Sequence, residues 1–343
     1  MSHLPLNRSL PEKPDKSPGI EITKYPFNMN NSRRDFIKKA TTTGAAILAA
    51  PAFIGSSKIS AQQKARDATT PFKLKYAPSL GMFRQHAGQD PVDNIKFCND
   101  MGFRAMFDNG LMGRPVEDQV RIAEEIIRLG MDLGPFVLYA DFSVTSFVLN
   151  NPETREMLVN KMKEGVEVAK RTGVKWALVV PGRYDEKLQR DYQTANVVDN
   201  LRYCCDVVEP SGLTIVLEPL NTLHDHPGLF LNGIPQAYAI CRAVNRKSCK
   251  ILNDIYHQQI TEGNLIPNIE AAWSEIGAFH CGDNPGRNEP TTGEINYKNV
   301  FKYIYSHKYD GVICMEHGIS QRGSKEGEAR VIQAYRECDS FEV

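Results

Sequence analysis

The chain has 343 residues, 41% of them hydrophobic, enough for one large core or two of medium size, since single α/β barrels routinely reach about 250 residues. Its 41 basic and 41 acidic residues leave no formal net charge. The whole molecule therefore has no field that would gather nucleic acid or anionic lipid, and neither is an expected partner.

Residues 1–28 are polar and carry Pro5, Pro11, Pro14, Pro18 and Pro26. Such a composition cannot bury enough apolar area to offset the entropy of ordering, so a disordered extension is expected. Ser32-Arg33-Arg34-Asp35-Phe36-Ile37-Lys38-Lys39 follows, and then the uncharged stretch from Ala40 to Ser57. A basic region, a short apolar region and small residues beyond it describe a removable targeting segment, and residues 29–61 resemble a twin-arginine export signal. The apolar stretch is short for a membrane span, which needs about 20 residues. The expectation is cleavage near Ala61, a periplasmic location and no stable membrane insertion afterwards, with Met29 as an alternative start. Beyond Ala61 the chain holds 32 basic and 37 acidic residues, which further disfavours DNA binding.

Residues 62–71 read as a linker, and a single catalytic domain is expected over 72–343. There, short β-rich runs alternate with amphipathic stretches of helical length, and this order specifies a parallel sheet with crossover helices. The expected strands are Lys73–Pro78, Arg104–Asp108, Leu133–Tyr139, Val174–Pro181, Leu213–Glu218, Lys250–Asp254, Ile276–Cys281 and Gly311–Glu316. The expected helices are Asp93–Met101, Val116–Leu129, Glu153–Thr172, Thr194–Val208, Pro235–Asn245, Leu265–Trp273, Tyr297–His307 and Gly323–Arg336. Gly102, Gly130, Gly173 and Gly212 follow helices, where a left-handed residue stops the turn. Eight such units predict a closed (β/α)8 TIM barrel, an α/β fold in one domain. The alternative is an open doubly wound sheet, although no G-x-G-x-x-G turn follows the first strand. The eight cysteines lack C-x-x-C or zinc-ribbon spacing, and mostly free, buried thiols are expected.

A barrel of this kind builds its active site at the carboxyl ends of its strands. Four consecutive apolar strands end in Glu218, Asp254, His280 and Glu316. Each alone could be a helix N-cap or a salt-bridge partner. Together, three carboxylates at one mouth repel one another unless a cation neutralises them. One divalent metal ion is the expected cofactor, with Mn²⁺, Mg²⁺ or Co²⁺ favoured by the oxygen-rich set and Zn²⁺ possible.

The segments Leu217-Glu218-Pro219-Leu220-Asn221, Asn253-Asp254-Ile255-Tyr256-His257-Gln258, His280 to Pro290, Thr292 to Tyr297 and Met315-Glu316-His317 resemble the hydroxypyruvate isomerase group of the xylose isomerase-like barrels. That resemblance, carried mainly by residues 210–320, implies that Glu218, Asp254, His280 and Glu316 hold the metal and that Glu218 and Glu316 form the acid/base pair. It further implies that His257 and Arg287 grip substrate oxygens. A metal chelating adjacent carbonyl and hydroxyl oxygens acidifies the C–H between them, and proton removal gives a cis-enediolate. Return of the proton to the neighbouring carbon isomerises the substrate; return to the other face of the same carbon epimerises it. Gly282 and His317 depart from the group, where glutamine and tyrosine are common, so a changed substrate rim is expected.

Other candidates have plain alternatives. His224 and His226 lie in a surface loop, where solvation is the simpler role. Glu289 and Glu294 read as loop or helix-start carboxylates, and Arg84 and His86 follow the first strand and could reach the mouth. The apolar stretch Tyr139–Leu149, with Phe142 and Phe147, suggests a lid or a contact in a homo-oligomer. The expected substrate is a small sugar, sugar acid or hydroxypyruvate-like hydroxy-oxo compound. The competing functions are a non-catalytic periplasmic sugar-binding barrel and an endonuclease-like phosphodiesterase.

Overall fold

The computed structural model describes residues 70–343. The expected extension, the export signal and most of the linker lie outside these residues. The strands are β1 Lys75–Pro78, β2 Ala105–Met106, β3 Asp132–Leu133, β4 Phe136–Ala140, β5 Trp176–Val180, β6 Thr214–Leu217, β7 Cys249–Asp254, β8 Ile276–Cys281 and β9 Val312–Met315. The helices are α1 Arg84–Ala87, α2 Pro91–Asp100, α3 Val116–Arg128, α4 Pro152–Thr172, α5 Arg190–Val208, α6 Ile234–Val244, α7 Ile255–Thr261, α8 Leu265–Ala272, α9 Tyr297–Ser306 and α10 Lys325–Asp339.

Seven strands pair in the order β1-β9-β8-β7-β6-β5-β4, and β2 pairs with β3. Every one of these pairings is parallel. The short β2 joins β1 through Phe107 N to Pro78 O and Leu80 N to Phe107 O, both 3.1 Å, and reaches β4 through Val137 N to Asn109 O at 3.2 Å. The first strand thus meets both the last strand and the second, so the sheet closes on itself as a TIM barrel. An open doubly wound sheet would leave two edges and is excluded.

The barrel strand expected over Leu133–Tyr139 is divided into β3 and β4. Pro135 lies at the break and has no N–H for a ladder. At Gly134 a Cβ would stand 2.9 Å from Phe107 Cβ and 3.1 Å from Cys314 Sγ, so only glycine lets the backbone pass this close. Helices α1 and α7 were not among the expected elements. Both are short insertions in the segments after strands, α7 directly after β7, and are too brief to show a periodicity.

Side chains alternate across the strands as a pleat requires. Ala77, Phe107, Leu178, Val180, Val216, Leu252, Ala278 and Cys314 share one buried cluster inside the barrel. Their neighbours Tyr76, Val179, Ile215, Leu217, Ile251, Phe279 and Ile313 join a second cluster with the helical residues Ile122, Leu158, Val197, Ile240, Ile269, Phe301 and Val331. Each large aliphatic or aromatic side chain so buried contributes about 1.5–3 kcal/mol. Asp90, Asn151 and Ser324 cap α2, α4 and α10 by accepting from Val92 N, Thr154 N and Gly327 N at 2.8, 2.8 and 3.0 Å, each cap being worth about 1 kcal/mol. All eight cysteines are free and buried. Among the described residues no helix is long and apolar enough to cross a membrane.

Candidate metal centre and active site

Strand parity places the quartet. Val216, Leu252, Ala278 and Cys314 point into the barrel, and two residues further along the same strands, on the same face, stand Glu218, Asp254, His280 and Glu316. One potential ligand atom from each lies within 4.8 Å of all the others. Glu218, Asp254 and His280 are only 4%, 1% and 0% exposed.

His280 Nδ1 lies between the two glutamates, 3.1 Å from Glu218 Oε1 and 3.1 Å from Glu316 Oε2. Asp254 carries two tasks. Its Oδ1 caps α7, accepting from Tyr256 N at 2.8 Å, while its Oδ2 accepts from Arg287 Nη2 at 2.9 Å. Arg287 Nη2 also donates to Glu316 Oε2, and Asn109 Nδ2 donates to Glu316 Oε1 at 2.5 Å. The guanidinium lies 4.8 Å from the centre of the Tyr256 ring.

Crowding splits the two glutamates. Burial and the neighbouring Glu316 push Glu218 up to about 7, against the pull of His280. Glu316 is held below the usual carboxylate range despite its burial, by His280, Arg287 and the Asn109 amide. Burial opposes a charge on His280, but Glu316 and Glu218 outweigh it and raise its pKa. Without a metal, positive charge from His280 and Arg287 therefore offsets the carboxylates.

The donors fit a divalent ion. His280 Nδ1 meets Glu218 Oε1 only as an ion pair without hydrogen-bond alignment, and His280 Nε2 is buried with no hydrogen-bond partner, which is costly unless another group binds there. Three carboxylates and one imidazole make a hard, oxygen-rich set, suited to Mg²⁺ or Mn²⁺.

The family model described as "Xylose isomerase-like TIM barrel" matches residues 95–338. The chain belongs to this family. It is 33% identical over 167 residues to the hydroxypyruvate isomerase of Escherichia coli, a match that covers 48% of this chain and 64% of that protein. It is 35% identical over 123 residues to the 2-oxo-tetronate isomerase of Cupriavidus necator, covering 36% of this chain and 47% of that one. The chain therefore aligns with about half to two thirds of these relatives' length. Among solved structures, an AP endonuclease, family 2, from Brucella melitensis superposes with a TM-score of 0.65 at 23% identity, covering 77% of this chain and 99% of that one; at this identity the likeness shows the fold alone.

In this xylose isomerase-like barrel the residues around the quartet are tightly tied. His257, 1% exposed, has its Nε2 3.5 Å from Asp254 Oδ2 and its Nδ1 2.7 Å from Asn221 Nδ2. Burial pushes its pKa down to about 4 against the opposing pull of Asp254. The Arg287 loop is anchored by two buried carboxylates. Asp283 accepts from Gly293 N at 2.8 Å and Ile295 N at 3.1 Å, and Glu289 accepts from Ser320 N at 2.9 Å. Glu289 is thus a staple between the loops after β8 and β9, and Glu294 accepts from Asn284 Nδ2 at 2.8 Å.

Other expected candidates are placed elsewhere. His86 Nδ1 pairs with Glu328 Oε2 of α10 at 2.6 Å, its ring stacked on Phe97, and Arg84 Nε donates to Gly81 O. His317 turns outward, with Nε2 2.9 Å from the Tyr335 hydroxyl. A Cβ on Gly282 would lie 3.1 Å from His317 Cβ and 3.2 Å from Arg287 Cγ, so the two departures from the group's pattern pack against each other. Phe147 is fully buried and Phe142 is 45% exposed. His224 is exposed, but His226 is only partly so, and its ring centre lies 5.4 Å from that of His257. Asn109 and Asn221 are site residues to which no role was assigned from sequence, both lying in loops where no periodicity marks them; His226, expected to be solvated, instead stands beside His257.

Proposed function

We propose that this barrel is a divalent-metal-dependent isomerase or epimerase of a small sugar, sugar acid or hydroxy-oxo acid, with Glu218 and Glu316 as its acid/base pair. The observation that carries this reading is the quartet of three buried residues and the partly exposed Glu316, whose ligand atoms lie within 4.8 Å of one another, with His280 Nε2 lacking a hydrogen-bond partner. The similarity to two isomerases of small hydroxy-oxo acids supports the same class.

When bound by Glu218, Asp254, His280 and Glu316, a metal would supply Lewis acidity toward adjacent carbonyl and hydroxyl oxygens of the substrate. One glutamate removes the proton from the carbon between them, leaving a cis-enediolate, and the other returns a proton. The split in proton affinity between Glu218 and Glu316 suits opposite roles for the two. His257 is neutral at pH 7 and offers an Nε2–H donor to a substrate oxygen. Arg287, beside Asp254 and Glu316, offers the second. Export by the twin-arginine route is part of the proposal and favours a substrate met in the periplasm.

The test is hydrogen exchange in D₂O, followed by NMR, with Mn²⁺ and a panel of ketoses, aldoses and hydroxypyruvate. Metal-dependent C–H exchange that Glu316→Gln abolishes is the expected result. Tight metal binding by the wild type without exchange on any member of the panel would favour a sugar-binding barrel.

A further inference from the structure

Three loops at the carboxyl ends of the strands are stitched together. In the loop after β4, Val144 O accepts from Arg183 N at 2.9 Å and Thr145 bridges Gly182. The loop after β5 in turn meets the loop after β6, where Arg183 bridges Leu229 and Gly182 O accepts from Phe230 N at 3.0 Å. This ladder holds Phe142 and His226 side by side, ring centres 4.8 Å apart.

Asn221 ties the pair to the quartet. Its carbonyl accepts from His226 N at 3.1 Å, and its amide meets His257 Nδ1 at 2.7 Å. The rings of His257, His226 and Phe142 therefore follow one another in contact, in centroid steps of 5.4 and 4.8 Å, starting from the histidine beside Asp254. Phe142 is 45% exposed, a large area of aromatic surface to leave open at a fixed position beside a polar site. Burial holds the His226 imidazole below its usual pKa, while Asp225, Arg287, Glu316 and Asp254 all act on it electrostatically. Its ring is thus a hydrogen-bonding group within the field of the site.

We propose that Phe142 and His226 form a specificity subsite for the part of the substrate beyond the reacting carbons, and that this part is a sugar chain or ring. A three-carbon acid has only two C–C bonds of about 1.5 Å each and, if gripped at His257, ends short of Phe142. A sugar of six carbons spans the three rings, laying its C–H face on the phenyl ring and a hydroxyl on the imidazole, the mixture of apolar wall and few polar groups that defines small-molecule sites. This rests on the proposed function for where the reacting carbons sit.

The experiment compares calorimetric binding of a hexitol and of glycerate, both unreactive, to the Mn²⁺-loaded wild type, Phe142→Ala and His226→Ala, with melting curves to confirm folding. The hexitol-to-glycerate affinity ratio should fall at least tenfold in each variant, and the KM for a six-carbon ketose should rise more than kcat falls. An unchanged ratio, or a wild type that binds no hexitol, overturns the subsite. So does a change in oligomeric state on gel filtration without a change in the ratio, which would make Phe142 a contact between copies. If the wild type binds hexitol but exchanges no C–H hydrogen, the proposed function fails while the affinity ratio still decides the subsite.

Discussion

The Asn221 side-chain nitrogen lies 2.7 Å from His257 Nδ1, and the Asn221 backbone N–H donates to the same atom at 3.3 Å. Two donors on Nδ1 require it to be an acceptor, so the imidazole carries its proton on Nε2, the atom facing Asp254. A hydrogen bond to one ring nitrogen setting the role of the other is a general device.

Asn221→Ala removes the side-chain half of this arrangement. Its kcat/KM should fall about 10- to 100-fold, as losses of such supporting contacts do, while metal affinity stays within a few-fold because Asn221 touches none of the quartet. Steady-state kinetics beside metal titration checks this; a parallel loss of metal would mean that the loop merely shapes the metal site.

Arg287 predicts the opposite pattern. Its guanidinium neutralises Asp254 and Glu316, so it competes with a metal ion for the same carboxylates. Arg287→Ala should tighten Mn²⁺ binding about tenfold and lower turnover more than a hundredfold, because the substrate loses a charged donor. Weaker metal binding in this variant would show that Arg287 organises the quartet instead.

Metal affinity should rise with pH through about 7. In the metal-free protein Glu218 titrates near 7 and His280 above the usual imidazole value, and a ligand must lose its proton to bind. Raising the pH removes that competition, so binding at pH 6 should be weaker and should release protons. Calorimetry in two buffers of different ionisation enthalpy measures the release; a pH-independent affinity would count against these ligands.

Gly134→Ala tests a close approach in the barrel wall. The new methyl would stand 2.9 Å from Phe107 Cβ, and overpacking of this kind costs about 1–3 kcal/mol. The melting temperature should drop by roughly 2–4 °C per kcal/mol. Activity should fall as well, because the Phe107 ring sits 5.7 Å from the His280 ring. An unchanged melting temperature would show that the wall yields freely.

The eight-fold alternation of strand and helix and the four polar strand ends are both legible in the residues. A strand's face repeats every two residues and a helix's every 3.6, so a local pattern carries information about local structure, and Glu218, Asp254, His280 and Glu316 end apolar runs in register. The Gly134-Pro135 break shows where this stops: the residues are visible, but the reason for the glycine is Phe107 and Cys314, distant in the chain.

Sequence alone therefore determined the barrel, its order and the four residues at its mouth, because each depends on a period or on a strand end. Tertiary structure decided the rest. It put Arg287 on two carboxylates, sent His86 to Glu328 and His317 to Tyr335, brought Asn109 and Asn221 to the site, and set His226 between His257 and Phe142. These placements depend on how loops from different strands meet, and a loop has no repeating geometry from which a side chain's direction can be read.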